Sequence, residues 1–347
     1  MRKITLDKVT AGMVVAADIF GQDFDGELPL ICRGVELSDP IISKLRGRGF
    51  NELIIVTPPG YRGAPGEILA PTEVTGNILF DGAVELNCDL PPETKIEAGE
   101  DIIIINGAVG PGCNVRSANG GVVITGNLAG AVDKHIVICA AKRVAITSTT
   151  QLCGLDIRAL DEVAISGDIG DSTVAAKGRL RIDGTVVRSK IYSQARIMVE
   201  NCGNNTDPCH LLVKPLECGP LFQKLLGIDK QNTAFEQERQ RLQNTIDLVK
   251  KLGKDIERMP YENKVEMATD IKRFQEVSEE IKAGQERKEQ IKKEIAEALA
   301  TSRIIIRREA LAKTWITIEN SSLVLDEPVT KTAFFVRNMR VEAAPFG

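Results

Sequence analysis

Three short apolar units recur in a fixed order through the middle of this chain, and few folds tolerate that order. The first unit sets an apolar residue two positions before a small one: Ile96 with Ala98, Val115 with Ser117, Ile138 with Ala140, Ile157 with Ala159, Val174 with Ala176 and Ile191 with Ser193. Its successive intervals are 19, 23, 19, 17 and 17 residues. The second alternates two apolar residues: Ile102 with Ile104, Val122 with Ile124, Val144 with Ile146, Val163 with Ile165, Leu180 with Ile182 and Ile197 with Val199. The third places an aliphatic residue two positions after a glycine, at Gly107 and Val109, Gly126 and Leu128, Gly167 and Ile169, and Gly184 and Val186. Alternation with period two sends one side chain of each short strand inward and the next to solvent. One turn of about 20 residues cannot bury its own inward face, but parallel stacking about 4.8 Å apart can. The reading is a mainly β fold built on a single-stranded, right-handed parallel β-helix. An antiparallel sandwich would not require the three units to return in the same order.

Composition agrees with a stacked bore. Aromatic residues are 4% of the 347 and there is one tryptophan, as expected where Val, Ile and Ala fill a narrow interior. The formal net charge is -4, which weighs against a general nucleic-acid or anionic-membrane surface. No stretch approaches 18 uncharged apolar residues and no secretory leader is visible, so no membrane insertion is expected. Eight cysteines in a chain of this length do not make a disulfide framework. Reduced thiols and a cytoplasmic location follow as expectations.

The flanking regions differ in kind. Residues 1–57 read as a small mixed β/α domain, with strands in KITLDKV, MVVAADIF, LPLICRGVEL and NELIIV and one helix in SDPIISKLRGRG. Ser38 is placed as its N-cap, Pro40 in its first turn, and Gly47 or Gly49 at its end. Residues 58–67, rich in proline and glycine, read as a linker, and 68–220 as the β-helix. Across 221–301 glycine nearly vanishes and charged residues dominate. Ile228, Phe235, Leu242, Val249 and Ile256 fall at intervals of seven, and Met267, Phe274, Ile281 and Ile295 at multiples of it. Leu225, Ile246, Ile271 and Leu299 add to the stripe, while Asn232, Arg239, Gly253 and Lys288 interrupt it. Pro260 breaks the pattern midway, so the prediction is an inserted antiparallel α-helical coiled-coil hairpin with arms of about 60 Å at about 1.5 Å per residue. Residues 302–347 then read as strands that complete or cap the β-helix, with Trp315 outside the bore.

The order of rungs, hairpin and strand tail resembles the bacterial flagellar assembly protein A family. The resemblance rests on VVITGNLAGAVDKHIVICAAKRVAI, VAISGDIGDSTVAAKGRLRIDGTVVRSKIYS, the hairpin and SRIIIRREALAKTWITIENSSLVL, within residues 70–340. It implies a cytoplasmic, non-enzymatic protein linked to polar placement of flagella through a signal-recognition-type GTPase. Residues 2–56 resemble the small domain that precedes HD-GYP-type cyclic-di-GMP phosphodiesterase domains, but no metal-binding His-Asp pair follows.

Few groupings carry chemistry. GPGCNVRSANGG lacks the Lys-Ser/Thr of a phosphate-binding loop and reads as a corner. His135 reads as a surface residue, and the intervals of 17 to 23 do not match the strict six of hexapeptide acyltransferases. Cys202, Cys209, His210 and Cys218 are of zinc-ligating type, although the spacing lacks a CxxC knuckle, so buried thiols remain the alternative. Asp156, Asp161, Asp168, Asp171 and Asp183 sit at strand ends, where a pair would be needed for sugar hydrolysis. The functional expectation is a scaffold that binds a protein partner through the hairpin, compatible with a homo-oligomer. A self-assembling cytoskeletal β-helix and a carbohydrate-active or transferase enzyme are the alternatives.

Overall fold

The computed structural model describes residues 2–346 except 18, 21–29, 57–61, 63, 65, 75, 132, 205–206 and 254–258. The chain divides into two compact units, Met1–Lys214 with Ser302–Gly347, and Pro215–Thr301.

The first unit is a β-solenoid. The predicted first units stack in register, Ile96 on Val115, Ile138, Ile157, Val174 and Ile191, and Leu211 and Ile316 continue the column, all in parallel. The small residues two positions on form their own inward column of Ala98, Ser117, Ala140, Ala159, Ala176 and Ser193. The second units stack likewise, with Val122, Val144, Val163, Leu180, Ile197 and Ile304 buried one above the other. One rung differs from expectation. Ile103 and Ile105, not Ile102 and Ile104, pair with Val122 and Ile124, and Ile102 is 38% exposed. Four consecutive isoleucines leave the alternation ambiguous, and a slip of one residue exchanges the two faces.

A third inward column runs through Leu90, Val109, Leu128, Leu152, Ile169, Val186, Cys202 and Ala310. The glycines that precede it are needed for close approach. A Cβ on Gly126 would strike the carbonyl oxygen of Gly107, and one on Gly184 that of Gly167. The missing side chain is therefore the space in which the previous rung's backbone sits.

Both ends of the first sheet finish antiparallel. At the start, Arg2–Thr5 pairs antiparallel with Glu52–Ile55 and Ile68–Leu69, and the latter begins the parallel run against Ala83–Leu86. The N-terminal module thus extends the solenoid's own sheet. Its core is Ile4, Leu6, Val15, Leu37, Ile42, Leu45, Leu53 and Ile55. A buried ion pair, Arg2 to Glu67 at 2.5 Å, ties its first strand to the first rung. At the other end Arg303–Ala310 and Trp315–Ile318 add parallel strands. Val329–Arg337, Arg340–Pro345 and Ser321–Val324 then close antiparallel.

Within the module the helix α1 spans Asp39–Gly47 with Pro40 in its first turn. Ser38 occupies the N-cap position, but no side-chain cap hydrogen bond forms among the described residues. Among the described residues, which leave out Asp18, Leu28 and Pro29, the expected strands in MVVAADIF and LPLICRGVEL are represented by the isolated bridges Val14–Glu36, Val15–Ile55 and Ile19–Ile31. Gly34, with φ 87°, sits in a turn closed by the Val35 N–H on Cys32 O; the Gly34 N–H bonds Val15 O while the Val15 N–H bonds Val35 O, so the turn interrupts the pairing of the two segments. Most of the expected linker lies outside the described residues.

The second unit holds two long helices, α2 (Cys218–Leu252) and α3 (Tyr261–Ala300), with Pro260 at the N-cap of α3. The two helices follow strand His210–Val213 and precede strand Arg303–Ala310. No helix among the described residues is long and apolar enough to cross a membrane.

Candidate functional site

The helical hairpin is antiparallel, because low numbers on one helix meet high numbers on the other. Lys288 Nζ pairs with Asp229 at 2.5 Å, and Arg273 makes a two-pronged contact to Glu238 at 2.7 and 3.1 Å. Asn232 packs against Gly284, where any Cβ would overlap the Asn232 amide. At that register Phe235 comes level with Ile281, and Leu242 with Phe274. Two of the residues that interrupted the predicted stripe, Asn232 and Lys288, are thereby explained: one needs the glycine opposite, the other is neutralised by Asp229. Gly284 and Val277 are buried partners that the periodicity did not reveal, and Ile271, expected in the stripe, is 36% exposed. Ile256 lies outside the described residues.

The seam is only partly closed. Ile281, Ile295 and Leu299 of α3 are buried, but Ile228, Phe235, Leu242, Ile246 and Val249 of α2 are half-buried. Leu226, Leu248, Tyr261 and Val265 are exposed. Two helices present too little surface to each other to cover two apolar rows completely.

Of the four candidate metal ligands, Cys202, Cys209 and Cys218 are buried and His210 is half-buried. Cys202 and Cys209 are buried in the bore, with the side chain of Cys202 beside the Cys209 thiol. That contact and burial hold the Cys209 thiol well above the ordinary range. Strand alternation sends the next residue, His210, to the outer face, where its ring stacks on Trp315 with centroids 5.2 Å apart. Cys218 begins α2, in the other unit. Among the described residues no group of three or more His, Cys, Asp or Glu is arranged to hold a metal ion. Trp315 lies outside the bore as expected, 44% exposed.

Comparison with known families agrees with this architecture. The family model FapA, described as Flagellar Assembly Protein A beta solenoid domain, matches residues 74–341. The chain belongs to this family. The match spans the rungs from residue 74, the two helices and the strands up to the start of Arg340–Pro345, and leaves residues 1–73 and 342–347 outside it. No curated protein and no solved structure gives a match.

In this member of the Flagellar Assembly Protein A family the corner carboxylates are engaged structurally. Asp156 pairs with Arg158 at 2.9 Å, and Asp183 with Arg181 at 2.8 Å and Arg307 at 3.1 Å. Arg188 grips Asp171 through two bonds of 2.7 Å and reaches Asp207 at 3.2 Å. Asp168 accepts the Thr185 backbone N–H at 2.7 Å, one rung away. Each of these four residues works as a clamp between rungs or within one. His135 is exposed at a turn before strand Ile136–Ala140.

Proposed function

We propose that this chain is a non-enzymatic scaffold that positions a protein partner in flagellar assembly, with the helical hairpin as the contact arm and the N-terminal module as a second contact surface. Family membership supports the assembly role. The observations that carry the hairpin assignment are its half-open seam, where Ile228, Phe235, Leu242, Ile246 and Val249 stay half-buried, and the exposed apolar residues Leu226 (54%), Leu248 (50%) and Val265 (47%) on the helices beside it. A helix laid into that seam would bury what two helices alone leave wet. The antiparallel strands at both ends of the first sheet favour a protein of defined length over rung-on-rung stacking into filaments. The resemblance of residues 2–56 to the module preceding HD-GYP domains suggests a regulatory contact there.

The test compares partner capture by the full chain with capture by a Leu226→Glu/Leu248→Glu variant, using cells that build flagella. Helical content is checked by circular dichroism. The expected outcome is loss of a discrete flagellar partner at unchanged helicity. An identical partner set for both proteins would overturn the hairpin's role.

A further inference from the structure

The register of the solenoid puts two cysteines at a single corner of the bore. Cys202 stands in the column between Val186 and Ala310. Cys209 immediately precedes His210, which pairs with Lys190 on one side and Trp315 on the other. It therefore occupies the position that Ser189 holds in the rung before and Thr314 in the rung after. The corner that neighbouring rungs close with Val186 and Ser189, or with Ala310 and Thr314, is closed here with two thiols. Both are fully enclosed, at 1% and 0% exposure, and they touch. Burial alone explains a single inward cysteine, which behaves as a small apolar residue. It gives no reason for two thiols in contact where the adjacent rungs use an aliphatic, a methyl or a hydroxyl group.

We propose that Cys202 and Cys209 are a redox pair that closes into a disulfide across this corner. The oxidant is a small-molecule disulfide such as oxidised glutathione. One cysteine, as thiolate, attacks a glutathione sulfur, breaking that S–S bond and releasing one glutathione thiolate. The second cysteine then displaces the remaining glutathione from the mixed disulfide. The net change is one new S–S bond in the protein, one S–S bond lost from the oxidant, and two protons passed from the cysteines to the two glutathione thiols. The corner lies directly before strand His210–Val213, the last strand before the chain passes into the helical hairpin. Its oxidation state thus fixes or frees the rung from which the hairpin departs.

Enclosed, protonated thiols exchange slowly, so the test begins from the unfolded chain. The full-length protein is refolded from urea in glutathione buffers running from fully reduced to fully oxidised. It is then trapped with iodoacetamide, digested and analysed by mass spectrometry, with circular dichroism confirming refolding. The expected result is a Cys202–Cys209 crosslinked peptide that becomes the major species before any other pairing and disappears with dithiothreitol. The thiol count in denaturant should fall by two from the eight cysteines of the chain. A Cys202→Ala/Cys209→Ser variant, which borrows the residue types of Ala310 and Ser189, should fold and keep its full count of six thiols across the series. Alkylation of both cysteines at every oxidant ratio would overturn the proposal. So would separate glutathione adducts on each, a different pairing, or a stoichiometric metal shielding both.

Discussion

The solenoid and the helical hairpin bury apolar side chains by opposite routes. In the solenoid every inward residue has a neighbour above and below, so Ile138, Ile157 and Val174 are wholly enclosed although no single turn could enclose them. In the hairpin the α3 side of the seam is buried at Val277, Ile281, Ile295 and Leu299, while Phe235 and Leu242 on α2 remain half-wet. The solenoid gains its core by repetition, and its outer faces need only be soluble. The hairpin is left with surface that a partner can complete. Complete enclosure and partial exposure are thus divided between two parts of one chain.

The sharpest way to break this contrast is to fill the glycine column. Gly126→Val should be the most damaging change considered, because the new side chain has nowhere to go but into the Gly107 carbonyl. A loss on the order of 4 kcal/mol or more is expected, read as failure to fold or a collapsed thermal midpoint. Next comes a matched pair of truncations. Ile157→Ala, at a wholly buried position, should cost about 3–4 kcal/mol in chemical denaturation. Phe235→Ala, on the half-buried seam, should cost about 1–2 kcal/mol, since less area leaves the interior. Equal costs would mean that the seam is better covered than its exposure indicates.

A third change addresses the hairpin's register. Gly284→Leu should push α2 and α3 apart at Asn232 and lower helicity at 222 nm, at a cost of about 1–3 kcal/mol. Adding Asn232→Ala should restore part of it, and absence of any rescue would disprove the pairing. The smallest effect concerns pH. Glu319, in a left-handed turn with φ 53°, is buried with one carboxylate oxygen lacking a partner, and burial raises its pKa above the ordinary value. A carboxyl raised in the folded state contributes stability that is complete below its unfolded value and is lost as pH rises through its folded value. Glu319→Gln should therefore raise the melting midpoint slightly at pH 7 and leave it unchanged near about pH 4. Equal shifts at both pH values would assign the effect to packing instead.

Much of this architecture was legible in the residues, for a physical reason. Stacked rungs impose the same demand on every turn, so the columns through Ile96 and Val122 repeat visibly. The slip at Ile102–Ile105 was not legible, because four identical side chains carry no phase. Gly284 was missed since a glycine in a charged helix looks like a defect until Asn232 is placed opposite. The cysteine grouping admitted zinc ligation or buried thiols, and linear order alone cannot choose between them, because Cys209 and His210 are neighbours in the chain while strand alternation turns them to opposite faces. The N-terminal bridges escaped prediction because turns at residues such as Gly34 are local decisions with no repeat to reinforce them.

One feature of the chain's path bears on how the molecule is made. Strand Arg196–Cys202 takes as its neighbour Arg303–Ala310, and the intervening stretch contains both long helices. At roughly 5–20 residues per second of translation, the earlier strand waits on the order of 5–20 seconds for its mate. During that interval the growing stack ends on an uncovered edge. A nascent chain of this kind therefore depends on the ribosome's tempo and on whatever shelters that edge until the closing strands emerge.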